Sequence, residues 1–70
     1  MKKGEHDVTL PVRRGRYTGL SIELKHGDNR PTKEQLDYGA MLEAEGWMVR
    51  YCWDWQDAAD IIKLYLEGKL

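Results

Sequence analysis

Apolar and polar residues alternate in three stretches of this chain and recur at helical spacing in two others. Val8, Leu10 and Val12 fall on one side of an extended segment, with Asp7, Thr9 and Pro11 on the other. Arg13-Arg14-Gly15-Arg16 reads as a turn, and Tyr17 to Lys25 as a second strand antiparallel to the first. In that strand Leu20, Ile22 and Leu24 face one way, and Glu23 and Lys25 project side by side the other way. His26 to Pro31 is a loop by composition. Thr32-Lys33-Glu34-Gln35 has the form of a capping box, in which the Thr32 hydroxyl accepts from a first-turn amide and Gln35 reaches back. A helix is predicted from there to about Glu45, with Leu36, Ala40 and Ala44 on one face and Met41 beside them. Gly46 is its stop. Trp47 to Trp53 alternates again, with Trp47, Val49, Tyr51 and Trp53 on one side. Asp54 can cap a last helix whose apolar stripe is Ala58, Ile61, Ile62, Tyr65 and Leu66.

The order is strand, strand, helix, strand, helix. A crossover through a helix makes the strands it joins parallel and is nearly always right-handed. The third strand should therefore lie parallel to the second. The expected fold is a small α/β domain, ββαβα, with a mixed three-stranded sheet and two helices, spanning residues 1–70 without repeat or linker.

Seventy residues bury a small core, which disulfides, a structural metal or oligomerisation usually supplement. One cysteine, Cys52, allows neither an intrachain disulfide nor a cysteine-based zinc site. It reads as a small buried apolar residue suited to a reducing cytoplasm. Oligomerisation is then the expected supplement, and three Trp and four Tyr offer contact surface for it. The net charge of −1 provides no global basic field, so nucleic-acid binding would need a local patch. No stretch is apolar for long enough to span a membrane, and the Lys2-Lys3 start has no apolar run behind it. A soluble cytoplasmic protein is expected.

The candidate chemistry lies at one end of the predicted hairpin. Asp7 and Glu23 are both far from the turn, so their carboxylates converge. Two converging carboxylates can hold a hard divalent cation, and Lys25 beside them can handle a proton or a charge. That is a minimal set for metal-assisted phosphodiester hydrolysis. With Leu20, Ile22 and Leu24 buried, Glu23 and Lys25 are expected on an exposed shelf.

In order and spacing, Gly4-Glu5-His6-Asp7, Glu23-Leu24-Lys25 and Thr32-Lys33-Glu34-Gln35 resemble the virus-type replication-repair nuclease (VRR-NUC) domain of the PD-(D/E)xK nuclease superfamily. The family pattern runs Gly-x-Pro-Asp, a hairpin, Glu-x-Lys, a Ser/Thr-x-x-Gln helix start, a strand and a last helix. The match covers roughly Gly4 to Leu66. His6 stands where the family usually has proline. Members usually carry a helix and a strand before the Asp, whereas this chain begins just ahead of Asp7, as a minimal or shortened member would.

The resemblance implies a Mg²⁺- or Mn²⁺-dependent DNA endonuclease. Small stand-alone members of the family are associated with homodimers that cut branched DNA such as Holliday junctions. Asp7, Glu23 and the Leu24 carbonyl are the implied metal ligands. Lys25 would orient or deprotonate the attacking water, or stabilise the phosphorane-like state, and Gln35 would position Lys25, water or phosphate. Arg13, Arg14 and Arg16, with Arg30 and Lys33, are the candidate phosphate contacts. His6 reads as a loop residue. Trp47, Trp53 and Trp55 read as core or dimer contacts rather than base-stacking platforms. The dimer is expected to bury some of Trp47, Val49, Tyr51, Trp53, Tyr65 and Leu66. The rival readings are a non-catalytic DNA- or protein-binding module that kept the nuclease fold, and the core of a split gene product.

Overall fold

The computed structural model describes residues 6–70; the Lys2-Lys3 start and the Gly4-Glu5 half of the first motif lie outside the described residues. The elements follow the predicted order: β1 (Val8–Leu10), β2 (Leu20–Leu24), α1 (Lys33–Ala44), β3 (Met48–Cys52) and α2 (Trp55–Leu66). β2 is central in a sheet of order β1-β2-β3. It pairs antiparallel with β1, Val8 opposite Ile22, and parallel with β3, Leu20 opposite Met48 and Leu24 opposite Cys52. The mixed sheet expected from the crossover argument is therefore present.

Two strands are shorter than the alternation suggested. β1 stops at Leu10, ahead of Pro11, which has no N–H to give a ladder. β2 starts at Leu20, and the Arg13–Tyr17 stretch closes instead as a tight turn in which Arg14 and Tyr17 exchange backbone hydrogen bonds of 3.0 and 2.9 Å. The Tyr65 hydroxyl donates to the Val12 carbonyl at 2.6 Å and ties this hairpin to α2.

The helices cover opposite faces of the sheet. α2 packs its stripe of Ala58, Ile61, Ile62 and Tyr65 on Leu20 and Ile22, both completely buried, together with Met48 and Cys52. Each such aliphatic side chain contributes about 1.5–3 kcal/mol. Leu66, at the end of the predicted stripe, is exposed. Asp54 caps α2 by accepting from the Gln56 amide at 3.0 Å.

α1 departs from the sequence expectation. Its buried residues are Gly39 and Leu42, with Gln35 and Tyr38 half-buried beside them. The predicted face of Leu36, Ala40, Met41 and Ala44 is the outer one, and Leu36 and Met41 are both 51% exposed. The cause is the opposite face of β2. Its Glu23 needs a polar partner, which Gln35 supplies and an aliphatic stripe would not; Ser21 pairs with His6, which in turn holds the Gln35 carbonyl. Gly39 permits the approach: a Cβ there would stand 2.5 Å from the Tyr51 hydroxyl and 3.2 Å from Val49 Cγ1. α1 ends at Ala44 with Glu45 as its cap, and Gly46 follows at φ +91, a left-handed conformation that glycine adopts without penalty.

This arrangement also changes the expected assembly surface. Val49 is buried under α1, Tyr51 is half-buried there and Tyr65 is buried under the sheet, so none of the three is an open contact face. The exposed apolar side chains are instead Leu36, Met41, Trp53, Trp55, Leu64, Leu66 and Leu70. No helix among the described residues is long and apolar enough to cross a membrane.

Candidate active site

The carboxyl end of β2 carries the candidate residues, and the capping box of α1 assembles them. The Gln35 amide N–H donates to Thr32 Oγ1 at 3.1 Å, and the Thr32 N–H donates to Gln35 Oε1 at 2.9 Å. The Gln35 side chain does not stop at the cap. Its Oε1 also accepts from Lys25 Nζ at 2.9 Å, and its Nε2 donates to Glu23 Oε2 at 2.7 Å. The two roles considered for Gln35 are therefore filled by one side chain. It closes the helix start and bridges the carboxylate to the ammonium, which lie 3.9 Å apart.

Glu23 and Lys25 do not sit on an exposed shelf. Glu23 is only 4% exposed, and the Lys25 side chain 11%. Alternation along β2 correctly put them on the face away from Leu20 and Ile22, but α1 covers that face. Burial pushes the Glu23 carboxyl above its ordinary value, and the negative charge of Asp7 adds to the effect; His6 and Lys25 pull it the other way. Asp7 is thus close enough to act on Glu23. Its Oδ2 accepts from the Leu24 amide at 3.0 Å, so the exposed Asp7 carboxylate is fixed at the edge of β2 just beyond the last β1 pair.

One oxygen stands out. Glu23 Oε1 is buried and has no hydrogen-bond partner among the described residues. An unsatisfied buried carboxylate oxygen costs about 1–3 kcal/mol, or more when charged. No group of three or more His, Cys, Asp or Glu side chains placed to hold a metal occurs among the described residues. A hard cation such as Mg²⁺ asks less: it is held by one or two carboxylates and keeps several waters. The all-oxygen pair of Asp7 and Glu23, with an unused buried oxygen, fits that demand.

His6 lies in the irregular segment ahead of β1, as expected, but it is buried. It is 5% exposed, with Tyr38 and Tyr51 edge-on at ring-centroid distances of 5.3 and 5.4 Å. Its Nε2–H donates to the Gln35 carbonyl at 3.1 Å, and its Nδ1 shares a hydrogen bond with the Ser21 hydroxyl at 2.8 Å. The Tyr51 hydroxyl donates to the same Gln35 carbonyl at 3.2 Å. Ser21 is completely buried, so the His6–Ser21 pair meets no substrate and is not a nucleophile and base. It fastens the first turn of α1 to β2 and so fixes Gln35.

The basic candidates separate. Arg14 Nε donates to the Leu66 carbonyl at 2.9 Å, and its Nη1 to the Arg13 carbonyl at 2.8 Å, so Arg14 closes the C-terminal end of α2. Arg16 folds onto Tyr17, its guanidinium 5.2 Å from the ring centroid. Arg13, Arg14 and Arg16 all sit at the hairpin turn, away from Asp7 and Glu23. Lys33 pairs with Asp37 at 3.0 Å on the helix surface. Arg30 has no ion-pair partner among the described residues and lines an open cleft beside the helix start. Burial raises the Cys52 thiol, which is a core residue as expected.

A comparison with solved structures agrees with this geometry. One, described as a VRR_NUC domain protein, superposes with a TM-score of 0.87 at 29% sequence identity, covering 97% of this chain. The fold is that of a VRR-NUC domain. The chain spans 57% of the length of that neighbour. No protein-family model matches the sequence, and no curated protein matches it. The likeness to that VRR_NUC neighbour suggests a nuclease-like domain, and the Asp, Glu-x-Lys and Gln positions singled out in the sequence come together at one end of the sheet.

The sequence reading missed the layer beneath these residues: His6, Ser21, Tyr51 and Gly39. Two signals pointed to it. Ser21, Glu23 and Lys25 form an unbroken polar face on a central strand, and Gly39 interrupts an otherwise good helix, which marks a close backbone approach.

Proposed function

We propose that this VRR-NUC domain is a divalent-metal-dependent DNA endonuclease, structure-selective for branched DNA such as a Holliday junction, acting in replication, repair or recombination. The observation that carries the reading is the Glu23 carboxylate, kept buried with an oxygen unused, next to Asp7 and bridged by Gln35 to Lys25. A structural role alone gives no return for that burial.

Asp7, Glu23 and the Leu24 carbonyl would hold Mg²⁺ or Mn²⁺. When bound, the metal polarises the scissile phosphate and lowers the pKa of a bound water. Gln35 and the Glu23 carboxylate hold the Lys25 ammonium at the mouth of the site, where it stabilises charge developing on the phosphoryl oxygens without reorganising. The His6–Ser21–Tyr51 layer keeps Gln35 from shifting. The N-termini of α1 and α2 both lie at the carboxyl ends of the parallel strands β2 and β3, where open α/β sheets bind ligands and where helix ends favour phosphate. Arg30 and Lys33 belong to the same end and are the preferred backbone contacts; Arg13, Arg14 and Arg16 would meet DNA only beyond it. A homodimer, with two sites set apart for paired cuts, belongs to the proposal, and the outer apolar stripe of α1 is the surface open to it.

The test is cleavage of duplex, flap and four-way-junction DNA with Mg²⁺ or Mn²⁺, beside Asp7→Ala. Metal-dependent cutting that Asp7→Ala abolishes supports the reading. DNA binding without cleavage, and without Mn²⁺ binding, would replace it by the non-catalytic module.

A further inference from the structure

Trp53 is 49% exposed, yet it is not loose. Its indole Nε1–H donates to the Asn29 carbonyl at 2.8 Å, which fixes the ring against the loop that leads from Lys25 to the helix start. The ring borders an open cleft of about 610 Å³ lined by Asp28, Asn29, Arg30, Pro31, Leu36 and Trp53. That volume lies within the range of small-ligand clefts, ~300–1,000 Å³. The cleft adjoins the candidate active site through the backbone. Trp53 follows Cys52, whose carbonyl accepts from the Lys25 amide at 2.8 Å, and Leu36 follows Gln35. With Nε1 already used, what Trp53 offers a ligand is its ring face. Arg30, unpaired among the described residues, is the cation in the same cleft.

We propose that this cleft takes one unpaired nucleotide of a DNA strand, its base stacked on Trp53 and its phosphate held by Arg30. This rests on the nucleic-acid reading above and gives the site a means of preferring DNA with unpaired bases over continuous duplex. A base paired inside a duplex has no free face for the indole, whereas one at a branch, gap or end has. The acids fix the direction. Trp53 also borders a second cleft of about 420 Å³ that contains Asp57 and Asp60, which repels phosphate. Asp28 is the single acid among the described residues that line the Arg30 cleft, so the strand enters there. The fixed ring suits this task because stacking then costs little further ordering.

The test measures binding rather than cutting, in EDTA, with the full chain. A short single-stranded DNA carrying one 2-aminopurine is compared with a blunt duplex of the same sequence. The expected result is quenching of the 2-aminopurine on binding. Trp53→Leu should weaken single-strand affinity by ~5- to 150-fold, the value of one stacked base, with duplex affinity unchanged. Trp53→Phe, which lacks the Asn29 bond but keeps a ring, should retain most of the affinity. Arg30→Gln should lower the salt slope of single-strand binding by about one. Equal losses in Trp53→Phe and Trp53→Leu would mean that Trp53 only anchors the loop, and would overturn the proposal. Single-strand binding indifferent to Trp53→Leu would do the same. Should Trp53→Leu not fold, Trp53→Phe and Arg30→Gln still decide: a salt slope lowered by about one in Arg30→Gln while Trp53→Phe keeps the quench supports the cleft, and any other pattern overturns it. Absence of metal-dependent cleavage alongside Trp53-dependent binding would defeat the nuclease reading and leave the cleft standing.

Discussion

Replacing Glu23 by glutamine should stabilise the metal-free protein while abolishing its activity. In the folded chain this carboxylate is almost fully buried, and one of its oxygens has no partner among the described residues. Glutamine keeps the shape and the acceptor for Gln35 Nε2 but removes the charge. What is relieved is the buried charge alone, since the amide –NH2 that replaces Oε1 also lacks a partner among the described residues, so the gain stays below the cost of an unsatisfied buried group, about 1–3 kcal/mol. Part is lost again, because Lys25 gives up a Coulomb partner at 3.9 Å while keeping its bond to Gln35 Oε1. A net gain of about 1 kcal/mol is expected, which in a domain of this size raises Tm by roughly 4–8 °C. Calorimetry in EDTA measures it. The pH dependence has a defined sign. Because the folded state holds the Glu23 proton more tightly than the unfolded state, the contribution of Glu23 to stability is greatest below the ordinary glutamate range and falls as pH rises through the raised value. Glu23→Gln should not show that decline. Added Mn²⁺ should then reverse the ranking: at about 100 times its Kd a cation bound only by the folded state adds about 2.7 kcal/mol to the wild type, and it should add far less to the variant. A variant less stable than wild type in EDTA, or equally stabilised by Mn²⁺, would refute the assignment of Glu23 as a carboxylate buried to meet a cation.

Lys25→Ala should leave the fold intact and lower single-turnover cleavage by roughly 10²–10⁴-fold, the range for a positioned catalytic group, with circular dichroism as the control. Gly39→Ala should cost about 1–3 kcal/mol by urea titration, because its Cβ would meet the Tyr51 hydroxyl at 2.5 Å and lift the helix that carries Gln35. His6→Ala leaves the Ser21 hydroxyl without its ring partner and should destabilise by on the order of 2 kcal/mol; a merely local effect on the N-terminal segment, read by hydrogen exchange at Gln35 and Ser21, would contradict its role as a fastener. Light scattering tests the dimer: Met41→Glu on the outer face of α1 should dissociate it, and a monomer at high micromolar concentration in the unmutated protein would remove the paired-cut mechanism.

The local code of this chain is strong. Alternation in Leu20–Leu24 and Met48–Cys52, the Thr32–Gln35 capping box, the Asp54 cap and the Gly46 stop are decided by neighbours a few residues apart, and each element appears where they put it. The mixed topology follows too, since a helical crossover leaves one pairing sense. The grouping of Asp7, Glu23, Lys25 and Gln35 was legible for the same reason: it depends on strand parity and on which hairpin ends are adjacent. Which face of α1 turns inward was not legible. Periodicity favoured Leu36, Ala40, Met41 and Ala44, and the helix buries Gly39 and Leu42 instead, with Gln35 half-buried beside them. Helical periodicity assumes that the apolar side meets an apolar surface. Here the surface it meets, Ser21 and Glu23 on the far side of β2, is polar and needs hydrogen-bond partners, a demand that only assembling the layers reveals. The same long-range packing buried His6 within its loop and fixed Trp53 at the surface by a bond to Asn29, 24 positions away in the chain. Local sequence sets what each segment becomes, because those energies act between near neighbours. The tertiary structure decided what each face meets, because burial and hydrogen-bond satisfaction depend on residues that only the fold brings together.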